Sequence, residues 1–197
     1  MKKIVLIRHA PTEANLTGSM VKNYDETPII PLTDEAKNRW YNKVAIHIPY
    51  QNCKYMVSPT LRCRQTAESL FDGETAEDWP LLSEFDCSGL GDKKFWEISK
   101  DEFEKLVPLT SADMGFRADQ FITRCTWLKE DNIIAVTHGM FIRYMYHFMT
   151  GNRDITPYDV INSVGFTFSN LDALCIDMDN HSVSVHRFSK PIDHKNS

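Results

Sequence analysis

Two histidines and two arginines stand just behind short apolar runs, and together they suit one kind of chemistry. Arg8 and His9 follow Lys3–Ile7, Arg62 comes shortly after Lys54–Val57, and His138 follows Ile133–Thr137. A guanidinium is a forked donor that grips phosphate oxygens in pairs. A neutral imidazole nitrogen can attack phosphorus and carry it as phospho-histidine. Thr12 and Asn15 add short polar donors in the turn after His9. Each piece alone is weak, because an Arg-His pair at a strand end is more often structural and a lone histidine is more often a satisfied core or surface group. Arg62 carries a further hint. It falls in the first turn of a helix expected to open at Ser58-Pro59, where a cation is disfavoured unless an anion sits opposite. Arg64 lies on another face of that helix and reads as surface. Arg143, one turn beyond His138, reads as a supporting cation rather than a phosphate ligand.

The elements that must position these groups can be read from periodicity. Lys3–Ile7 is short, β-branched and uninterrupted, like a buried parallel strand. A polar loop runs from His9 to Pro31. Thr33 then caps a helix whose Ala36, Trp40, Val44 and Ile48 share one face, ending at Pro49. Lys54–Val57 is a second strand. Ser58 as N-cap and Pro59 as first helical residue predict a helix to about Phe71. Ile133–Thr137 is a third strand. The helix behind it ends near Gly151, a C-cap. Asn162 to Phe188 reads as strands joined by a turn at Asp179-Asn180, before a polar tail.

Between Asp72 and Leu128 the pattern is less regular, with helical pieces near Asp101–Leu106 and Met114–Leu128 and a Gly89–Gly91 loop. Residues 86–128 are expected to form an insertion or lid on a single domain spanning 1–197. Strands alternating with helices predict an α/β fold, a three-layer α/β/α sandwich with a mostly parallel central sheet and helices on both faces. Ligands of such sheets bind beyond the carboxyl ends of the strands, where Arg8-His9, Ser58-Pro59 and Thr137-His138 all fall.

Composition narrows the partners. The chain has 197 residues, 42% hydrophobic and 25% charged, with a formal net charge of -5. That balance fills a real core without staples. It lacks the basic footprint of a nucleic-acid binder, although arginines can still cluster around a small anion. Cys53, Cys63, Cys87, Cys125 and Cys175 are scattered, odd in number and form no CxxC pair. This argues against a disulfide framework or a thiolate zinc site and for reduced thiols in a cytoplasmic protein. The run Ile4–Ile7 is too short for a signal peptide, and no stretch approaches a membrane span.

Four ordered motifs carry a family resemblance: Arg-His-x-x-Thr-x-x-Asn at Arg8 to Asn15, Ser-Pro-x-x-Arg-x-x-Gln-Thr-Ala at Ser58 to Ala67, Leu-x-Glu at Leu82 to Glu84, and Thr-His-Gly at Thr137 to Gly139. The set spans most of the chain and resembles the histidine phosphatase superfamily, the phosphoglycerate-mutase-like phosphatases. The resemblance implies a phosphomonoester hydrolase with His9 as nucleophile. Arg8, Arg62 and His138 would hold the phosphoryl oxygens, Asn15 would add a hydrogen bond, and Glu84 would protonate the leaving oxygen and then activate water. Two guanidiniums and an imidazolium can stabilise those oxygens without a metal or other cofactor, and one carboxyl can serve both proton transfers. Two departures stand out. Ala10 replaces the usual glycine after Arg-His, and the glycine expected at position 88 is displaced to Gly89. Asp86 is therefore kept as an alternative acid, while Glu13 reads as a solvated loop residue.

Competing readings remain at this level. A phosphomutase would share the phospho-histidine but usually has a longer insertion. A non-catalytic phospho-ligand module would not need His9. A histidine metal site lacks a third ligand and would face flanking arginines. A two-histidine phosphodiesterase would need Thr or Ser two residues after each histidine. The substrate is expected to be a small phosphorylated metabolite, or else a phosphoprotein. Selectivity is expected from residues 15–31 and 86–128, where Phe95, Trp96 and Phe116 are pocket candidates and Lys93, Lys94 and Arg117 are anion-contact candidates. Oligomeric state is not legible.

Overall fold

The apolar runs are neighbouring strands of one sheet. A computed structural model describes residues 2–17, 26–90, 97–162 and 167–188. Its strands are β1 (Lys3–Arg8), β2 (Cys53–Val57), β3 (Glu77–Asp78), β4 (Asn132–Thr137), β5 (Ala173–Asp177) and β6 (Ser182–His186), in the order β3-β2-β4-β1-β5-β6. The first four in that order are mutually parallel, β5 pairs antiparallel with β1, and β6 pairs antiparallel with β5.

Burial on both faces explains the unbroken apolar runs. Ile4, Leu6, Met56, Ile133 and Ala135 face one core cluster with Met114, Phe121, Phe141 and Met145. Val5, Ile7, Val57, Ile134 and Val136 face the other, with Trp40, Val44, Ala67 and Leu70. Full burial of each large apolar side chain contributes roughly 1.5–3 kcal/mol, and these opposed faces fix the register of the strands. The expected three-layer architecture is the observed one.

Helix α1 (Glu13–Thr17) follows β1. Helix α2 (Asp34–Lys43) starts as expected, with Thr33 Oγ1 accepting from Ala36 N at 3.1 Å. It ends earlier than its periodicity predicts. The chain tightens into a 3₁₀ turn at Ala45–His47, because Ile48 precedes Pro49 and is held extended. Helix α3 (Leu61–Leu70) begins later than Ser58-Pro59 predicts, with Thr60 as N-cap. Ser58 stays with the sheet, its N–H donating to Val136 O at 3.0 Å. That displacement frees the Ser58 side chain for the site.

The span expected as a lid divides in two. Helix α5 (Ser111–Trp127) opens on a Thr110–Asp113 capping box. It buries Met114, Ala118, Phe121 and Cys125 in the core, so it covers the sheet directly. The raised portion is a small separate cluster of Cys87, Leu90, Ile98, Phe103 and Val107 around α4 (Lys100–Leu106). Gly89 is required there: a Cβ would lie 1.9 Å from Leu106 O, so the displaced glycine marks a backbone crossing. Helix α6 (Gly139–Met149) follows β4, and its exit uses Gly151 at φ 92°. Helix α7 (Pro157–Asn162) was not expected. Thr156 Oγ1 caps it, accepting from Asp159 N at 3.1 Å. The β5–β6 turn falls where predicted, with Asp177 accepting from the N–H groups of Asp179 and Asn180. Gly91, Lys93, Lys94, Phe95, Trp96 and the tail beyond Phe188 lie outside the described residues.

Candidate active site

Three adjacent strands end on one level. Arg8 pairs with Thr137 across β1–β4, and Val57 pairs with Val136 across β2–β4. The next residues, His9, Ser58 and His138, therefore emerge together at the carboxyl edge. The two imidazoles meet edge to face, with ring centres 5.4 Å apart at 63°. Both rings are buried, His9 at 5% and His138 at 0% exposure.

Their hydrogen bonds fix the tautomers. His9 Nδ1 lies 2.7 Å from Ala10 O. A carbonyl only accepts, so Nδ1 carries the hydrogen and Nε2 keeps its lone pair. Burial first, then Arg8 and Arg62, hold this imidazole well below the ordinary histidine range, against the smaller opposing effect of the Ala10 bond. His9 is thus a neutral base with an available nitrogen. At His138, Arg62 Nη2 donates to Nδ1 at 3.0 Å. Its proton therefore sits on Nε2, which donates to Ser58 Oγ at 2.8 Å. The expected imidazolium is a neutral ring in this structure, because burial, then Arg62, His9, Arg8 and Arg117, all disfavour its charged form. A donor Nε2–H cannot take a proton from Ser58, so this pair is not an activated Ser-His nucleophile.

Arg62 is 2% exposed, in the first turn of α3. The Arg8 guanidinium lies against the start of α6, donating through Nη1 to Phe168 O at 2.5 Å. Its place depends on Gly139, where a Cβ would sit 3.2 Å from Arg8 Nε and 3.5 Å from Cζ. Gly139→Ala should push the guanidinium aside and lower kcat/KM for a phosphate ester by about 10-fold or more, with little change in Tm. Unchanged kinetics would show that Arg8 does not need this position.

Glu84 is held at the opening of α6. Its Oε2 accepts from Met140 N at 3.1 Å, and its Oε1 accepts from Phe141 N at 3.1 Å and Phe85 N at 3.2 Å. Burial pushes its pKa up, outweighing those bonds and the nearby Arg117 and Arg62. Thr137 Oγ1 donates to Leu82 O at 2.6 Å, tying the Glu84 segment to β4. Asp86, the alternative acid, is exposed, as is Glu13.

Asn15 is exposed and anchors the turn after His9. Its Oδ1 accepts from Thr12 N at 3.1 Å and Asn170 Nδ2 at 3.1 Å, so only its Nδ2 hydrogens remain to serve a ligand. Asn170 also donates to His9 O at 2.8 Å, and Thr66 Oγ1 accepts from Ala10 N at 2.9 Å. Sequence reasoning gave neither residue a role. Thr66 stood inside a quoted motif, whereas Asn170 lay unmarked ahead of β5. Arg64 pairs with Asp78 on the surface at 2.5 Å. Arg143 Nη1 donates to Ile161 O at 2.9 Å, tying α6 to α7, the supporting role read for it. Cys63 lies 3.6 Å from His138 Nε2, and burial lifts its thiol to about 12, which leaves it inert. Among the described residues no group of three His, Cys, Asp or Glu side chains is placed to hold a metal.

Known proteins share the fold that carries this arrangement. A phosphoserine phosphatase mutant from Entamoeba histolytica, solved with phosphoserine, aligns with TM-score 0.72 at 17% identity, over 94% of this chain and 95% of that one. The same enzyme with 3-phosphoglyceric acid gives 0.72 at 16%, over 97% and 98%. A putative alpha-ribazole-5'-P phosphatase from Escherichia coli gives 0.67 at 16%, over 96% and 98%. At such identities the likeness shows a shared fold. Among curated proteins, Pierisin from Pieris brassicae is 26% identical over 159 residues, 78% of this chain, and the chain spans only 17% of that protein's length. The family model for the histidine phosphatase superfamily (branch 1) matches residues 4–190. With nearly the whole chain inside that match, the protein belongs to the histidine phosphatase superfamily.

Proposed function

We propose that this protein hydrolyses a phosphomonoester through a phospho-histidine at His9, with no metal. The observation that carries the reading is the His9 hydrogen bond to Ala10 O, which leaves Nε2 as a neutral nucleophile between two arginines. Nε2 attacks phosphorus and the ester P–O bond breaks. The departing oxygen takes the proton of Glu84. Water then attacks the phospho-histidine, Glu84 receives a proton from that water, and the P–N bond breaks to release phosphate. Arg8, Arg62 and the Asn15 amide hold the equatorial oxygens. The phosphoryl dianion offsets the cations that keep His138 neutral, so its ring gains proton affinity and joins them as a donor. A small phosphorylated metabolite is the expected substrate, with a phosphoprotein as the other class to assay. The cysteines at 53, 63, 87, 125 and 175 are all free, which supports placement in the reducing cytoplasm. No helix among the described residues is long and apolar enough to cross a membrane.

The test is phosphate release from a panel of phosphomonoesters in the presence of a chelator. Release without isomerisation of phosphoglycerates supports hydrolysis, and chelator-sensitive release would contradict the metal-free site.

Glu84→Gln should slow alkyl phosphates by roughly 10²–10⁴-fold and p-nitrophenyl phosphate much less, because that leaving group departs without a proton. The sign with pH follows from the raised carboxyl. Protonated Glu84 is lost as pH rises through its elevated value, so the wild type has an alkaline limb that the variant lacks. Equal losses on both esters, or an unchanged pH profile, would remove Glu84 from the proton-transfer role.

A further inference from the structure

Asp172 is a fully buried acid that the proposed reaction does not use. It closes the turn Ser169–Asp172 just ahead of β5, where Asp172 N donates back to Ser169 O at 3.1 Å. The third residue of that turn, Leu171, has φ 67°. Glycine or asparagine is the usual choice there, because a larger side chain at positive φ crowds the backbone. Leucine is kept at this strained angle by its surroundings. Its side chain is buried, its N–H donates to Arg8 O at 3.0 Å, and its carbonyl accepts from Trp40 Nε1 at 3.1 Å.

The Asp172 carboxylate grips the same turn from behind. Its Oδ2 accepts from Ser169 N at 2.8 Å and from Arg187 Nη1 at 2.8 Å, and its Oδ1 accepts from Phe188 N at 2.8 Å. Arg187 Nη1 also donates to Thr167 O, and its guanidinium lies 5.1 Å over the Phe168 ring. The ion pair therefore ties the chain just past β6 to residues 167–172. The other side of that segment serves the phosphate site. Phe168 O accepts from Arg8 Nη1, Asp172 O accepts from Arg8 N, and Asn170 Nδ2 donates to both His9 O and Asn15 Oδ1. Arg8, His9 and Asn15 thus share one support. A buried carboxylate loses its hydration, and an apolar pair of similar volume often stabilises a fold as well as an ion pair does. Stability alone is a weak reason for Asp172, whereas the strained turn that it holds behind the site is a specific one.

We propose that Asp172 is a positioning residue of the phosphate site: its carboxylate, paired with Arg187, holds the Phe168–Asp172 segment in the strained shape that aims Arg8, His9 and Asn15. This deepens the phosphatase reading and rests on it for the roles of those three residues.

The test is Asp172→Asn, with inorganic phosphate affinity read by calorimetry and turnover read on p-nitrophenyl phosphate, at a temperature where circular dichroism shows the variant fully folded. The amide keeps the shape but has one acceptor oxygen in place of two, so the three donors that meet the carboxylate cannot all be satisfied. Phosphate binding should weaken by roughly 10-fold and kcat should fall by roughly 10- to 100-fold, the cost of misplacing catalytic groups by about 1 Å. The Arg8 Nε–H and Asn15 side-chain amide resonances should move as well. The control is Val183→Ala, on β6 and packed against the opposite core cluster. It should lower Tm and leave phosphate affinity, turnover and those resonances unchanged. A folded Asp172→Asn protein with wild-type affinity and turnover overturns the proposal, as does an equal loss in Val183→Ala. Should Asp172→Asn fail to fold, Arg187→Met decides. It removes the ion pair and the Thr167 and Phe168 contacts but keeps both backbone bonds of Asp172, and it must weaken phosphate binding and shift the Arg8 resonance; unchanged phosphate affinity is the contrary result. Absence of turnover by the wild type would count against the phosphatase reading, while the phosphate affinities and resonances would still decide the role of Asp172.

Discussion

His9→Ala should reduce phosphate release by about 10⁴-fold or more while leaving phosphate affinity largely in place. Removing a nucleophile that works as a unit with its neighbours costs at least that much in comparable hydrolases. The anion-holding groups come from elsewhere: Arg8 is set by Phe168 and Gly139, and Asn15 by Thr12 and Asn170. The loss should therefore appear in kcat rather than KM. Folding should survive, since the ring's hydrogen bond is local, to Ala10 O. Residual activity above about a tenth of wild type would mean that another group attacks phosphorus. Ser58 is poorly placed for that role, because His138 donates to it rather than accepting its proton.

Arg62→Ala should cost roughly 10²–10³-fold in kcat/KM, the loss of one preorganised donor to developing charge. It acts twice. It withdraws a forked donor from the phosphoryl oxygens, and it removes the Nη2 bond that fixes His138 Nδ1 as an acceptor. Lysine should rescue poorly, because a point-charge ammonium cannot reproduce the fork. Arg62 is the largest cause after burial of the depressed His138 pKa. The His138 titration, followed by NMR, should therefore move up towards the ordinary histidine value in the variant. A His138 midpoint that stayed put would show that Arg62 is not what keeps the ring neutral.

The strands and the convergence of the site were legible because buried parallel strands advertise themselves as unbroken apolar runs and their polar successors mark the carboxyl edge. The start of α3 was misread for a local reason. Ser58-Pro59 looks like a helix cap, but Ser58 continues the β2–β4 pairing with Val136. Long-range bonds were invisible: nothing in the spacing says that Glu84 will cap α6, or that Asn170 will hold both His9 and Asn15. How residues 86–128 divide between sheet cover and a smaller cluster was not legible, because the apolar face of α5 reads equally well as insertion packing or as sheet cover. Arg117 in that helix was weighed as an anion contact or a surface charge, and it lies among aromatic rings beside Glu84.

The most direct test of the phospho-histidine is to quench wild-type turnover under alkaline conditions, with chelator present, and map the phosphorylated residue by mass spectrometry and phosphorus NMR. Phosphate on Nε2 of His9, absent in His9→Ala and lost in acid, is the predicted result. Steady turnover with no acid-labile adduct, or phosphate carried by Ser58 or His138 instead, would contradict it.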